Sequence, residues 1–327
     1  MSDFDFQSEV TNLQPPAMSE VIGALKQGDT TIVKPTIVYG LSDLTDERFA
    51  ELKPTWDSLS SANKHRIIQT LTQTSEANFE FNYRMIGMYG LEDASPLVRS
   101  ASVDLLWEES SLEVLARFMQ LAESDEDALV RTRAVMGFSR VILLGESEEI
   151  PAEQAQEAQR IALKLHNDPT QPLDVRRRAL EAISNSSHQS IPKLIETAYN
   201  SDEHLMIVSA IFAMGRSYDE RWQDILLEEL EHTDNERVFE AVRACGEIQL
   251  SASVRQLEDL CDSDDREIQE ASIIALGEIG DKQALRILDG LMNTVEDEDL
   301  LVMIEEAIDE ASFSGTGAMF DFDLDDL

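Results

Sequence analysis

The chain has 327 residues, 43% of them apolar, so it is long enough for two ordinary domains or one elongated array and too apolar for a disordered acidic polymer. Its 14 glycines, 9 prolines and 6% aromatics are too few for a sandwich or barrel, which needs many turn and strand residues. A formal charge of −39, from 65 acidic against 26 basic residues, repels phosphate backbones and anionic bilayers, so neither nucleic acid nor membrane is an expected partner.

In chain order, the opening MSDFDFQSEV has no basic n-region and no apolar h-region, so no secretory signal is expected. Helical patterns recur near residues 18–26, 46–57, 61–74 and 79–90 without a shared spacing, and residues 1–92 read as an atypical N-terminal helical cap. Residues 93–312 behave differently. Ala210, Ala213 and Gly215 recur 31 residues later as Ala241, Ala244 and Gly246, and again as Ser272, Ala275 and Gly277. Ile195, Leu226, Leu257 and Leu288 keep the same period, as do Tyr199, Leu230, Cys261 and Met292. Each unit holds two helical patterns, and the second carries a buried-type stripe such as Ala241, Ala244, Cys245 and Ile248. Glycines near its end, Gly246 and Gly277 to Gly280, are expected to stop it. An isolated pair cannot bury that stripe, so stacking of neighbours is required.

Between Arg131 and Arg176 the interval is 45 residues, and the excess lies around Gly145 to Asp168, where Pro151 is placed to start a lengthened helix. Residues 313–327 read as a flexible acidic-aromatic tail, with Phe320, Phe322 and Leu324 alternating with aspartates, as Phe4 and Phe6 do at the other end. Such ends are either plain acidic termini or recognition peptides, and one option is that the tail docks on the chain's own helices.

The earlier units read DASPLVRSASVDLL from Asp93, DEDALVRTRAVMGF from Asp125 and LDVRRRALEAI from Leu173. With Val98-Arg99, Val130-Arg131, Val175-Arg176 and the later ALGEIGD at 275–281, residues 93 to about 311 resemble HEAT repeats, in particular those of phycobilisome lyase-type proteins. The resemblance implies an all-α fold, a right-handed α-solenoid of stacked helix pairs. It also implies a polar ladder between units built on Asp93 with Arg99 and Asp125 with Arg131. The arginine slot then holds Ile207, Val238 and Gln269, so the ladder is expected to end after the third unit.

Chemistry is sparse. The five histidines, His65, His166, His188, His204 and His232, are scattered, and none is part of a His-Glu dipeptide such as iron-binding hydroxylases of this repeat class use. Cys245 and Cys261 align with Leu, Met and other apolar slots one period away, so both read as core thiols in a reduced cytoplasm. No catalytic residue, metal site or cofactor is expected.

Positions two residues either side of the anchor alanine, and six after it, point away from the buried stripe. They place Met136, Arg140, Arg177, Phe212, Arg216, Phe239 and Arg243 on one ridge, which the resemblance puts on the concave face. Arginine beside aromatics is the composition of a protein-binding surface, although the same side chains could instead serve packing or pair with nearby carboxylates. The expected function is a non-catalytic protein-protein interaction scaffold with a protein partner; the negative charge either favours a basic partner or simply keeps a large exposed surface soluble, as in a saline host. The alternative is an enzyme-assisting, lyase-like chaperone for a tetrapyrrole-carrying partner.

Overall fold

A computed structural model describes residues 15–26 and 33–319, with side chains to residue 312. Every regular element among the described residues is helical. The chain divides into two compact units between Gly137 and Phe138, rather than at residue 92.

The first unit contains α1 (Met18–Lys26), α2 (Pro35–Leu41), α3 (Asp46–Asp57), α4 (Ser61–Ala77), α5 (Arg84–Gly90), α6 (Pro96–Leu105), α7 (Leu112–Ser124) and α8 (Ala128–Met136). Side-chain caps start several of them. Thr45 accepts from the Arg48 amide, Ser60 from Asn63 and Asp127 from Leu129, while Pro35 and Pro96 occupy first-turn positions that need no amide donor. The expected helix over 79–90 begins only at Arg84. Asn78 and Asn82 turn their side chains onto the amides of Glu80 and Arg84, which holds the intervening chain in turns. The sequence pattern also passed over α2, although Ile37, Val38 and Leu41 are buried there. These residues join Trp56, Ile67, Ile68, Leu71 and Ile86 in one core. Helices α4, α6 and α8 pack in succession, so paired helices stack on both sides of residue 92.

The second unit contains α9 (Phe138–Glu146), α10 (Ala152–Asn167), α11 (Leu173–Ile183), α12 (Ile191–Tyr199), α13 (His204–Arg216), α14 (Gln223–Glu229), α15 (Asn235–Glu247), α16 (Val254–Leu260), α17 (Arg266–Ile279), α18 (Lys282–Leu291) and α19 (Glu298–Met319). Pro151 caps the lengthened α10, as its fixed φ allows. Helices α11, α13, α15, α17 and α19 pack one on the next, and α12, α14, α16 and α18 back that row, α18 against both α17 and α19. Ile195, Leu226, Leu257 and Leu288 are fully buried, which fixes the register of the backing helices. The other apolar series ends differently, because Met292 is exposed in the last unit.

The periodic glycines do not stop their helices. Gly215, Gly246 and Gly277 lie inside α13, α15 and α17. A Cβ on Gly215 would come within 2.7 Å of the Ala244 Cα, and one on Gly246 within 2.9 Å of the Ala275 Cα. A Cβ on Gly277 would meet the Ala307 Cβ at 2.9 Å. Each glycine therefore lets the following helix approach its backbone. The stop comes later, at Tyr218, Gln249 and Gly280, spaced 31 apart and all left-handed with φ of 48°, 51° and 61°.

The polar ladder is present but built otherwise than expected. The Asp93 carboxylate takes Lys64 at 2.7 Å, and its carbonyl accepts from Arg99. Arg99 reaches forward, giving two hydrogen bonds of 2.8 Å to Asp125. In the second unit the ladder resumes with a different donor, the first residue of each row helix. His204 meets Asp234 at 2.9 Å, Asn235 meets Asp265 at 2.6 Å and Arg266 meets Asp297 at 3.0 Å. The expectation that it ended after the third unit is thus corrected. The donor moved three residues upstream when the arginine slot became apolar or amide.

The final helix is also longer than expected. Residues 313–319, assigned by pattern to the tail, continue α19 without a break, since Gly315 and Gly317 weaken a helix by only about 1 kcal/mol each. Phe320, Phe322 and Leu324 lie outside the described residues, as do Phe4 and Phe6.

Candidate functional site

The row α11, α13, α15 and α17 buries its alanine stripe, so the residues two and six positions from each anchor must face outward from that stripe. They do. Ala210, Ala241 and Ala244 are buried, while Phe212, Phe239 and Arg243 are half-buried and Ile274 is 48% exposed. Three helices present these side chains at one-repeat intervals, and together they form two adjoining open depressions that share Phe239 and Glu267.

The first depression is lined by Arg177 and Arg178 from α11, Phe212 from α13 and Phe239 and Glu240 from α15. The second is lined by Phe239, Arg243 and Glu247, with Glu270, Ile274 and Glu278 from α17. Arg243 is shared between two rings, its guanidinium carbon 5.7 Å from the centre of Phe212 and 5.8 Å from that of Phe239. The guanidinium carbon of Arg216 also lies over Phe212, 5.8 Å from the ring centre. Cation–π contacts of this kind hold the arginine heads over the rings while leaving their edges accessible.

Of the seven residues picked from sequence, five meet here: Arg177, Phe212, Arg216, Phe239 and Arg243. Arg140, on α9, lines neither depression, and its Nε is buried without a hydrogen-bond partner. Met136 ends α8 in the first unit, where it is exposed.

What the sequence reading underweighted is the acidity of the site. Glu181 is buried, accepting from Ser209 Oγ at 2.5 Å and from Arg178 at 2.5 Å, with Arg177 3.6 Å away. Burial pushes the Glu240 carboxyl up to about 7, against the pull of Arg243 and with the push of Glu181 and Glu247. Glu247 is raised by burial too, although Arg216 at 3.7 Å and Arg243 at 3.8 Å oppose the shift. Glu278 is raised by burial and then by the charge of Glu247. The signal for three of these was available, since Glu181, Glu247 and Glu278 hold the same outward positions as the arginines. Glu240 sits one residue before its anchor and carried no periodic mark.

Among the described residues no group of three or more His, Cys, Asp or Glu side chains is arranged to hold a metal ion. Both cysteines are buried free thiols, as their repeat positions implied, with burial pushing each up to about 12. Among the described residues no helix is long and apolar enough to cross a membrane.

Residues 224–308, which include α15 to α18, match the family model of HEAT repeats. No curated protein matches the chain in sequence. Among solved structures, the complex of CpcE and CpcF of phycocyanin lyase from Nostoc sp. PCC7120 is similar over 90% of this chain and 99% of that one, at 15% identity and a TM-score of 0.53. YibA of Escherichia coli aligns over 92% of this chain and 98% of its own at 18% identity, with a TM-score of 0.46. Human deoxyhypusine hydroxylase aligns over 80% and 95% at 18% identity, with a TM-score of 0.35. At 15% identity the likeness to the CpcE and CpcF complex concerns the fold alone.

Proposed function

We propose that this HEAT-repeat protein is a non-catalytic interaction scaffold that holds a protein partner against the row α11, α13, α15 and α17. The observation that carries the reading is the Phe212, Phe239, Arg216 and Arg243 cluster. It gathers aromatic and guanidinium groups on a face that core packing does not use. Partly exposed aromatics and arginines dominate the energetics of protein interfaces, because they bury large area at modest entropic cost. Two buried free thiols make a reducing compartment such as the cytoplasm the proposed setting.

Affinity capture from the native host, run with the wild-type chain and with a Phe212→Ala/Phe239→Ala variant, tests this reading. A melting curve shows that the variant is folded. Proteins held by the wild type and lost by the variant are the expected result. Equal retention by both would refute the site. The second reading, an assistant to a tetrapyrrole-carrying partner, rests on the fold it shares with the phycocyanin lyase complex. A chromophore retained by the purified protein in stoichiometric amount, visible in its absorption spectrum, would put that reading in first place.

A further inference from the structure

We infer that the occupant of this groove is a cationic segment of a partner protein, one that sets an arginine or lysine beside an apolar residue. This deepens the scaffold reading and rests on it. The two depressions are lined by eight different carboxylates and only three arginines. Those three are already engaged. Arg177 bonds Asp174 at 2.7 Å, Arg178 bonds Glu181 at 2.5 Å, and Arg243 lies over two rings 3.3 Å from Glu240.

The carboxylates are less well served. Glu247 has its two arginines at 3.7 and 3.8 Å, outside hydrogen-bond distance. Glu278 occupies the equivalent place one repeat later and has no ion-pair partner among the described residues; Glu247 and Glu310 repel its charge, and Arg243 and Arg216 attract it only from beyond ion-pair distance. Both are half-buried, which is why each resists ionisation. A guanidinium or ammonium set between them would satisfy two carboxylates that the chain itself leaves short of a cation. Beside that position Ile274 is 48% exposed, and Leu205 stands open at the other end of the groove. An apolar residue flanking the cation would cover Ile274.

Charge also excludes the rival occupants. A second copy of this chain arrives with a net −39, and its own FDFDLDD end would bring aspartates to carboxylates. Duplex nucleic acid meets the same repulsion.

The test uses the full-length protein and two fluorescein-labelled, end-blocked peptides of alternating leucine and arginine, or leucine and glutamate, spaced by glycine and serine. Binding is read by anisotropy at about 0.15 M salt, where surface charge beyond roughly 8 Å is screened. Because any basic peptide is drawn to so acidic a protein, two double variants separate the groove from the general field. Glu247→Gln/Glu278→Gln neutralises the groove, and Asp224→Asn/Glu228→Gln removes the same charge from the outer face of α14, where both residues are exposed.

The expected result is binding of the arginine peptide, weakened ~10-fold by the groove variant and less than ~2-fold by the outer one, with the glutamate peptide not bound. Equal weakening by both variants, or no binding of the arginine peptide, would overturn the inference. Binding of the glutamate peptide with protection from hydrogen exchange in α13 and α15 would also overturn it. That last outcome would leave the groove a protein-binding site and hand it to an acidic occupant. Failure of the scaffold reading shows separately, in the capture experiment.

Discussion

The acidity of the groove has a measurable consequence at Glu240. Its carboxyl takes up a proton near pH 7 in the folded chain and near its ordinary value of 4.5 when unfolded. The folded state therefore binds the extra proton between those values, so this group's contribution to stability is fully present below about 4.5 and is lost as pH rises through 7. Glu240→Gln mimics the protonated group. It should raise stability at pH 8 by about 1–3 kcal/mol, from a shift worth 1.36 kcal/mol per pH unit and reduced by the lost pairing with Arg243. The gain should shrink to below about 1 kcal/mol near pH 5. Urea unfolding at the two pH values measures it, and a variant less stable than wild type at pH 8 would mean that the ion pair with Arg243 outweighs burial. A carboxylate held at such a cost in a structural position is understandable if the groove has a cation to receive.

Among the elements, the row helices depend on backbone approach and the backing helices on side-chain fit. Gly215→Ala adds a methyl 2.7 Å from the Ala244 Cα, so α13 and α15 must separate, a strain of about 1–3 kcal/mol. Gly290→Ala in α18 meets nothing within 4 Å and should stabilise by ~0.5–1 kcal/mol through helix propensity. Opposite signs in thermal unfolding are the expected outcome, and a stabilised Gly215→Ala chain would show that the helices are not in contact there. Leu257→Ala in α16 removes a fully buried side chain from the repeating slot and should cost ~2–5 kcal/mol, with a loss below about 0.5 contradicting the register.

Much of this layer was legible in the sequence, because a slot filled at 195, 226, 257 and 288 reports burial directly. The meaning of the glycines was not. A glycine near a helix end reads as a stop, and only the position of Ala244 against Gly215 shows that it serves close approach. The ladder was half legible for a related reason. Arg99 and Asp125 announce themselves as a charged pair, whereas His204, Asn235 and Arg266 share a position and a role but no residue type. In the groove, five of the chosen residues followed from helix periodicity alone. The carboxylates beside them did not stand out in a chain with 65 acidic residues, since burial, not identity, distinguishes them.

For the whole molecule, charge decides what can approach. The net charge of −39 opposes approach to DNA, and described arginines such as Arg99, Arg237 and Arg243 are engaged with carboxylates or aromatic rings. No duplex binding is expected in a gel-shift assay at physiological salt, and tight, salt-sensitive binding would contradict the charge argument. The same field draws basic proteins from a distance, but the field alone selects none of them. On the proposal above, selection would fall to the groove, where Phe239 and Ile274 would supply shape and Glu247 and Glu278 charge.

The central claim, that the row α11, α13, α15 and α17 holds the partner, is tested most directly by hydrogen exchange on the chain with and without a protein captured from its host. The account predicts slowed exchange in α13, α15 and α17, centred on the segments that carry Phe212, Phe239 and Ile274, with α14, α16 and α18 unchanged. Protection confined to those backing helices, or to the first unit alone, would contradict it.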